Sequence, residues 1–155
     1  MKLWSKSVLG LTVVALLLVA AWPTAALETF DRSELTLVTE TGRHAFQIEM
    51  AVTSRQRNQG LMFRRKLPVD HGMLFDYQTP RTITMWMKNT YIPLDMVFIG
   101  PDGTVVGVHE RAVPHSLQSI KSPRPARSVL EVNGGTVRRL GIKPGDRVEH
   151  PIFNN

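Results

Sequence analysis

The fold turns on three runs: Gly72-Met73-Leu74-Phe75, then Met85-Trp86-Met87-Lys88-Asn89-Thr90, then Tyr91-Ile92-Pro93-Leu94-Asp95 leading into Met96-Val97-Phe98-Ile99. Together they hold the densest mixture of large apolar and hydrogen-bonding side chains in the chain. Each apolar run is short and bounded by glycine, proline or polar residues, which is the pattern of buried strands rather than of helices. In extended backbone Trp86 points opposite to Met85 and Met87, so either the indole or the methionine pair fills the core.

Working outward, Leu35 to Thr39 and Ala45 to Val52 alternate with strand period, and Gly42 between them suits a turn, so the two predict a hairpin. Thr53 or Ser54 caps a helix running from Arg55 to about Met62. Gly60 costs that helix about 1 kcal/mol relative to Ala, which marks either close approach to a strand or the helix end. Met73 to Phe75 reads as a brief buried strand, Tyr77 to Arg81 as a loop, and Ile83 to Met87 and Met96 to Ile99 as strands. Gly100-Pro101-Asp102-Gly103 is a tight turn returning into a strand from Thr104 to Val108. Ala112 to Pro125, with Pro114, Pro123 and Pro125, predicts an irregular loop long enough to form a lid or a wall. Ser128 to Val132 is a strand, Gly134-Gly135 opens a helix from Thr136 to Leu140, and Arg147 to His150 is the last strand. The sum is an α+β, β-rich domain: a small barrel or strongly curved, mostly antiparallel sheet with two short helices.

The chain of 155 residues has room for one domain. Lys2 and Lys6, the 14-residue apolar stretch Val8 to Ala21, and Pro23-Thr24-Ala25-Ala26 have the anatomy of a secretory signal peptide. The stretch is short for a membrane span, so the membrane enters only if this segment stays uncleaved. The expected division is a signal peptide at 1–26, a flexible leader at 27–34 and a single domain at 35–153, exported to the periplasm or cell envelope. There is no cysteine, which excludes disulfides, thiolate metal sites and cysteine nucleophiles. Without Lys2 and Lys6 the balance is 17 basic to 13 acidic residues, a mild excess suited to an anionic envelope. No basic run is interleaved with aromatics, so nucleic acid is not the expected partner. Arg55, Arg57, Arg64, Arg65 and Lys66 form the densest positive group and read as a solvated helix face and loop ahead of a specific anion site.

Gly60-Leu61-Met62-Phe63-Arg64, Gly72 to Phe75, Trp86 to Thr90, Ile92-Pro93-Leu94-Asp95, Leu130-Glu131-Val132-Asn133-Gly134-Gly135 and Gly141 to Asp146 occur in order. On these blocks the chain resembles the domain-of-unknown-function 192 family, also called uncharacterised protein family 0127. The resemblance spans about Leu35 to His150. It implies a compact β-rich domain, commonly exported or envelope-associated in bacteria, and supplies no activity.

Three chemistries suit the residues. The first is a binding module for a small ligand or envelope glycan. Trp86 offers a flat apolar face, and Lys88, Asn89, Thr90, Asp95 and Glu131 supply polar groups around it. The competing reading has Asn89 and Thr90 bonding their own turn. The second is a hydrolytic enzyme, with Asp95 and Glu131 as a carboxylate pair, Lys88 shifting one of them, and His71 as a further acid or base. It requires the two carboxylates to converge within roughly 5–9.5 Å; the competing reading has Glu131 on a solvated strand face. The third is Cu(I) handling by Met85 and Met87, near Met62, Met73 and Met96, since thioethers suit Cu(I), although methionine is also ordinary core filler. His44, His109, His115 and His150 read as surface or edge residues. No cofactor is implied, and the sequence carries no signal for an oligomeric state.

Overall fold

The computed structural model describes residues 27–153; the expected signal peptide at 1–26 lies outside the described residues. Strands β1 (Asp31–Thr39) and β2 (Gly42–Ala51) form the expected hairpin, with Leu35 opposite Phe46 and Thr39 opposite Gly42. The flexible leader expected at 27–34 is corrected, because β1 begins at Asp31 and its ladder with β2 runs from there. Residues before it are tied to the first helix: Glu28 N–H donates to Gln59 Oε1 at 2.7 Å, and Gln56 Nε2 donates to the Thr29 carbonyl at 2.8 Å. The alternation of β1 begins only at Leu35, but the ten-residue β2 offers backbone partners beyond it, and a backbone takes such partners whatever its side chains.

Helix α1 (Ser54–Gln59) opens on a capping box in which Thr53 accepts from Gln56 N–H while the Gln56 side chain bonds back to Thr53 N–H. It stops before Met62 because Gly60 takes φ 49°. A Cβ on Gly60 would stand 2.9 Å from Phe75 Cζ, so both meanings of this glycine, helix end and close approach to a strand, hold at once. Strand β3 (His71–Arg81) runs parallel to β2 and is far longer than the brief strand expected. The segment Tyr77 to Arg81, expected as a loop, continues it through an irregularity between Asp76 and Arg81 in its pairing with β8 (Ala126–Asn133), where Gln78 has φ 67°.

Strand β4 is reduced to Thr84–Met85 and pairs with β7 (Ile120–Lys121) as a separate two-stranded ribbon. Strands β5 (Leu94–Ile99) and β6 (Val105–Ala112) form a hairpin over the Gly100–Gly103 turn. Helix α2 (Thr136–Leu140) lies where expected, between Gly135 and Gly141, both left-handed. Strand β9 (Arg147–Glu149) is followed by a 3-10 turn, Pro151–Phe153.

The main sheet has the order β6-β5-β8-β3-β2-β1-β9, and β2 with β3 is its parallel pair. It curls into a half-barrel whose two edge strands approach each other at one corner. There Thr104 bridges Arg147, Val105 N–H donates to the Asp146 carbonyl at 2.8 Å, and Val148 N–H donates to the Gly103 carbonyl at 2.7 Å. The concave face holds one apolar cluster, including Leu35, Leu37, Phe46, Leu74, Val97, Leu130 and Val132 under α2 and Phe153. The opposite face of the central strands holds a second, with Met73, Phe75, Met96, Phe98 and Val129 covered by Leu61, Ile83, Met85 and Met87. All six residues of β5 are therefore buried. A strand covered on both sides loses polar alternation and reads as a continuous apolar run.

His150 is corrected from an edge residue: it is buried and its Nε2 lies 3.0 Å from Ser33 Oγ. Burial lowers its pKa. The basic group around α1 is also less uniform than a solvated face. Arg64 forms a two-pronged pair with Glu49 (2.7 and 2.5 Å) and Arg55 pairs with Glu28 at 2.8 Å, whereas Arg57 is turned inward.

Candidate functional site

The second cluster does not close over completely. Between α1, the outer half of β3, the β4 ribbon and the loop before β7 lies a cavity of about 410 Å³. Its floor is set by buried Leu61, Phe75 and Glu131; its rim carries the exposed Trp86, Lys88, Arg81 and Ser119. The Ala112 to Pro125 segment, expected to be irregular throughout, carries β7 and contributes Ser119 to the rim. It is pinned to the Trp86 segment by Met87 N–H on the Ser116 carbonyl (3.0 Å), His115 N–H on the Thr90 carbonyl (3.1 Å) and Ser122 N–H on the Ile83 carbonyl (2.8 Å).

Local alternation decides what the Trp86 segment shows to solvent. Met85 and Met87 fill the core and Trp86 points outward, 52% exposed, with Lys88 Nζ 5.6 Å from its ring centroid. Thr90 lines the cavity but is buried, and its hydroxyl donates to the Lys88 carbonyl at 3.3 Å. Asn89 sits apart from the cavity lining. It takes φ 55° at the turn, its carbonyl accepts from Phe63 N–H at 2.9 Å, and its amide points at Met62 Sδ at 3.9 Å. Asn89 thus shapes the turn that carries Lys88 and Thr90.

Asp95 and Glu131 do not converge, which corrects the carboxylate-pair geometry. In the ladder between β5 and β8, Asp95 lies opposite Val132 and Met96 opposite Glu131. Residues opposite one another share a face and neighbours along a strand do not, so the two carboxyls are on opposite faces of the sheet. Asp95 is fully buried beneath α2. Its Oδ2 accepts from Gly135 and Val137 N–H at 2.9 and 2.7 Å, and its Oδ1 from Arg111 N–H at 2.7 Å. It supplies the cap that Gly135 lacks. Its work is to join β5, β6 and α2.

Glu131 has the opposite surroundings. It is 4% exposed, and burial alone raises its pKa to about 8, with no hydrogen bond or charge among the described residues offsetting it. The solvated face read for it is corrected: the strand alternates, but its second face is covered by apolar residues from 61 and 83–87. At neutral pH the group is a carboxylic acid facing the cavity, able to donate a hydrogen bond or a proton.

Sequence reasoning missed three lining residues. Arg57 stacks over Tyr77, 4.9 Å from the ring centroid, and donates to the carbonyls of Val52 and of Asp76, the latter at 3.1 Å. Tyr77 donates to Met85 Sδ at 3.6 Å, and burial raises its pKa. Arg81 stands at the rim without an ion-pair partner among the described residues. All three come from the interval expected to be a solvated helix face and a loop.

His71 pairs with Asp70 at 2.8 Å, away from the cavity. Met73, Met87 and Met96 are fully enclosed by apolar neighbours. Among the described residues no three His, Asp or Glu side chains gather as a metal site, and no helix is long and apolar enough to cross a membrane.

The chain belongs to a family of uncharacterised proteins: residues 36–150 match the DUF192 family, described as uncharacterized ACR. Two solved structures are similar to it. One, from Sinorhizobium meliloti 1021, was named provisionally as a transcription regulator; it is 52% identical, with a TM-score of 0.76 over 79% of this chain and 95% of that one. The other, a protein of unknown function from Novosphingobium aromaticivorans DSM 12444, is 42% identical, with a TM-score of 0.77 over 84% of this chain and 94% of that one. A comparison with curated proteins finds no match.

Proposed function

We propose that the protein is an exported, envelope-associated binding module that seats a small ligand, most naturally a glycan fragment, in the cavity beside Trp86. The observation that carries this reading is the indole at the rim of an open hollow with a half-exposed face. A sugar ring presents an apolar face to such an indole and hydroxyls to the groups around it, here Lys88 at the rim and the Glu131 carboxyl at the floor. Export rests on the basic, apolar and small-residue succession of the first 26 residues. Of the original polar set, Trp86, Lys88, Thr90 and Glu131 remain ligand-facing candidates; Asn89 and Asp95 support them from outside the cavity.

Fluorescence titration with envelope oligosaccharides tests this. The expected result is a saturable change in emission that vanishes in Trp86→Phe, a variant that keeps Trp4 and Trp22 and so controls for any signal from them. A saturable change that persists in the variant, or none with any fragment, removes the reading.

A further inference from the structure

The charge around the cavity says more about its occupant than the indole does. Four of its lining residues bear basic or carboxyl groups: Arg57 from α1, Arg81 from the end of β3, Lys88 after β4, and Glu131 from β8. The ion pairs of the described residues lie elsewhere, on Arg43, Arg55, Arg64, His71, Arg127, Arg138 and Lys143, and none of the cavity cations is in one. Arg57 is held by carbonyl oxygens, which orient a guanidinium without neutralising it. Glu131, the single carboxyl in the lining, is nine-tenths buried and has no partner among the described residues. An open cavity with three cations outside any ion pair and an unpartnered acid at its floor is complementary to an anion that also carries a hydrogen-bond acceptor.

We infer that the cavity selects an acidic ligand: a ring of sugar size whose carboxylate meets Arg81 and Lys88 at the rim, with Arg57 behind them, while a neutral oxygen on its body accepts from the Glu131 carboxyl. This rests on the binding role proposed above and narrows its ligand from glycans in general to acidic sugars. The cations come from three separate elements around one opening, so the selectivity belongs to the cavity rather than to a charged surface. A neutral sugar of the same size meets the same indole but leaves the cations without a partner.

Calorimetric titration of the purified protein separates the two claims. The probes are N-acetylmuramic acid, its neutral counterpart N-acetylglucosamine, which lacks the lactyl carboxylate, and benzoate, which has a ring and a carboxylate but no sugar. The expected result is that N-acetylmuramic acid binds at least tenfold tighter than N-acetylglucosamine. That advantage should fall severalfold in Lys88→Gln and in Arg81→Gln, whose exposed side chains leave the fold intact by circular dichroism. Equal binding of the two sugars overturns the acidic-ligand inference and leaves the glycan reading standing. Binding of benzoate alone, sensitive to Arg81 and Lys88, supports anion selection and overturns the sugar assignment. No binding of any of the three overturns both.

Discussion

Asp95 on β5 and Glu131 on β8 sit one step out of register at the centre of the sheet, both buried, and the fold treats them in opposite ways. On the concave face Asp95 receives three backbone N–H groups, one from β6 and two from the start of α2. On the other face Glu131 receives none and keeps its proton instead. A buried carboxyl with both oxygens met by amides joins pieces of structure; one left without a partner beside an open cavity is costly to the fold and is a candidate for contact with a ligand. The difference separates scaffold from site without reference to any homologue.

The largest effect expected from breaking this contrast is at Asp95. Asp95→Ala strands three amide donors and detaches α2 from β5 and β6, which should lower the unfolding free energy by about 4 kcal/mol in urea denaturation. A loss below about 1 kcal/mol would mean that the cap carries little.

Glu131 should behave in the reverse sense, and with pH. Its folded carboxyl holds the proton to about pH 8, whereas the ordinary value is 4.5. Between those limits the fold binds more protons than the unfolded chain, so the stability contributed by this group is complete below about pH 4.5 and is lost as pH rises through 8. Glu131→Gln should flatten that decline and exceed the wild type on the order of 3 kcal/mol at pH 9. Denaturation curves at pH 5, 7 and 9 check it; parallel pH profiles for the two proteins would show that Glu131 is solvated or paired.

Smaller effects sharpen the comparison. Gly60→Ala places a Cβ at φ 49° and 2.9 Å from Phe75 Cζ, at the floor of the cavity. It should cost about 1–2 kcal/mol by thermal unfolding. Trp86→Ala, by contrast, should change stability by less than about 0.5 kcal/mol, as exposed positions do, while abolishing the ligand-dependent fluorescence signal. A large loss of stability there would recast the indole as a packing residue.

Legibility followed the range of the interactions. The hairpin of β1 and β2, the turn at Gly100 to Gly103 and both ends of α2 are set by neighbours in sequence and were readable from alternation and glycine placement. Alternation set Trp86 on the face opposite to Met85 and Met87 but left open which of them filled the core, and the structure buries the methionines. What failed depended on distant segments. Leu61, Ile83, Met85 and Met87 cover the Glu131 face, and nothing in Val129 to Val132 announces them. Asp95 stood out as polar in an apolar run, but its donors at Arg111, Gly135 and Val137 lie 16 to 42 residues away. Thr79-Pro80 disguised the outer half of β3 as a loop, and with it went Arg81.

The seam where Thr104 meets Arg147 has a consequence for how the molecule is made. It fastens the middle of the chain to its final strand, and β9 also completes the ladder of β1, more than a hundred residues earlier. A ribosome releasing this polypeptide therefore holds a sheet without that corner until the residues around Val148 emerge. Only then can the two borders meet at that corner, with the slow assembly that such distant pairings impose.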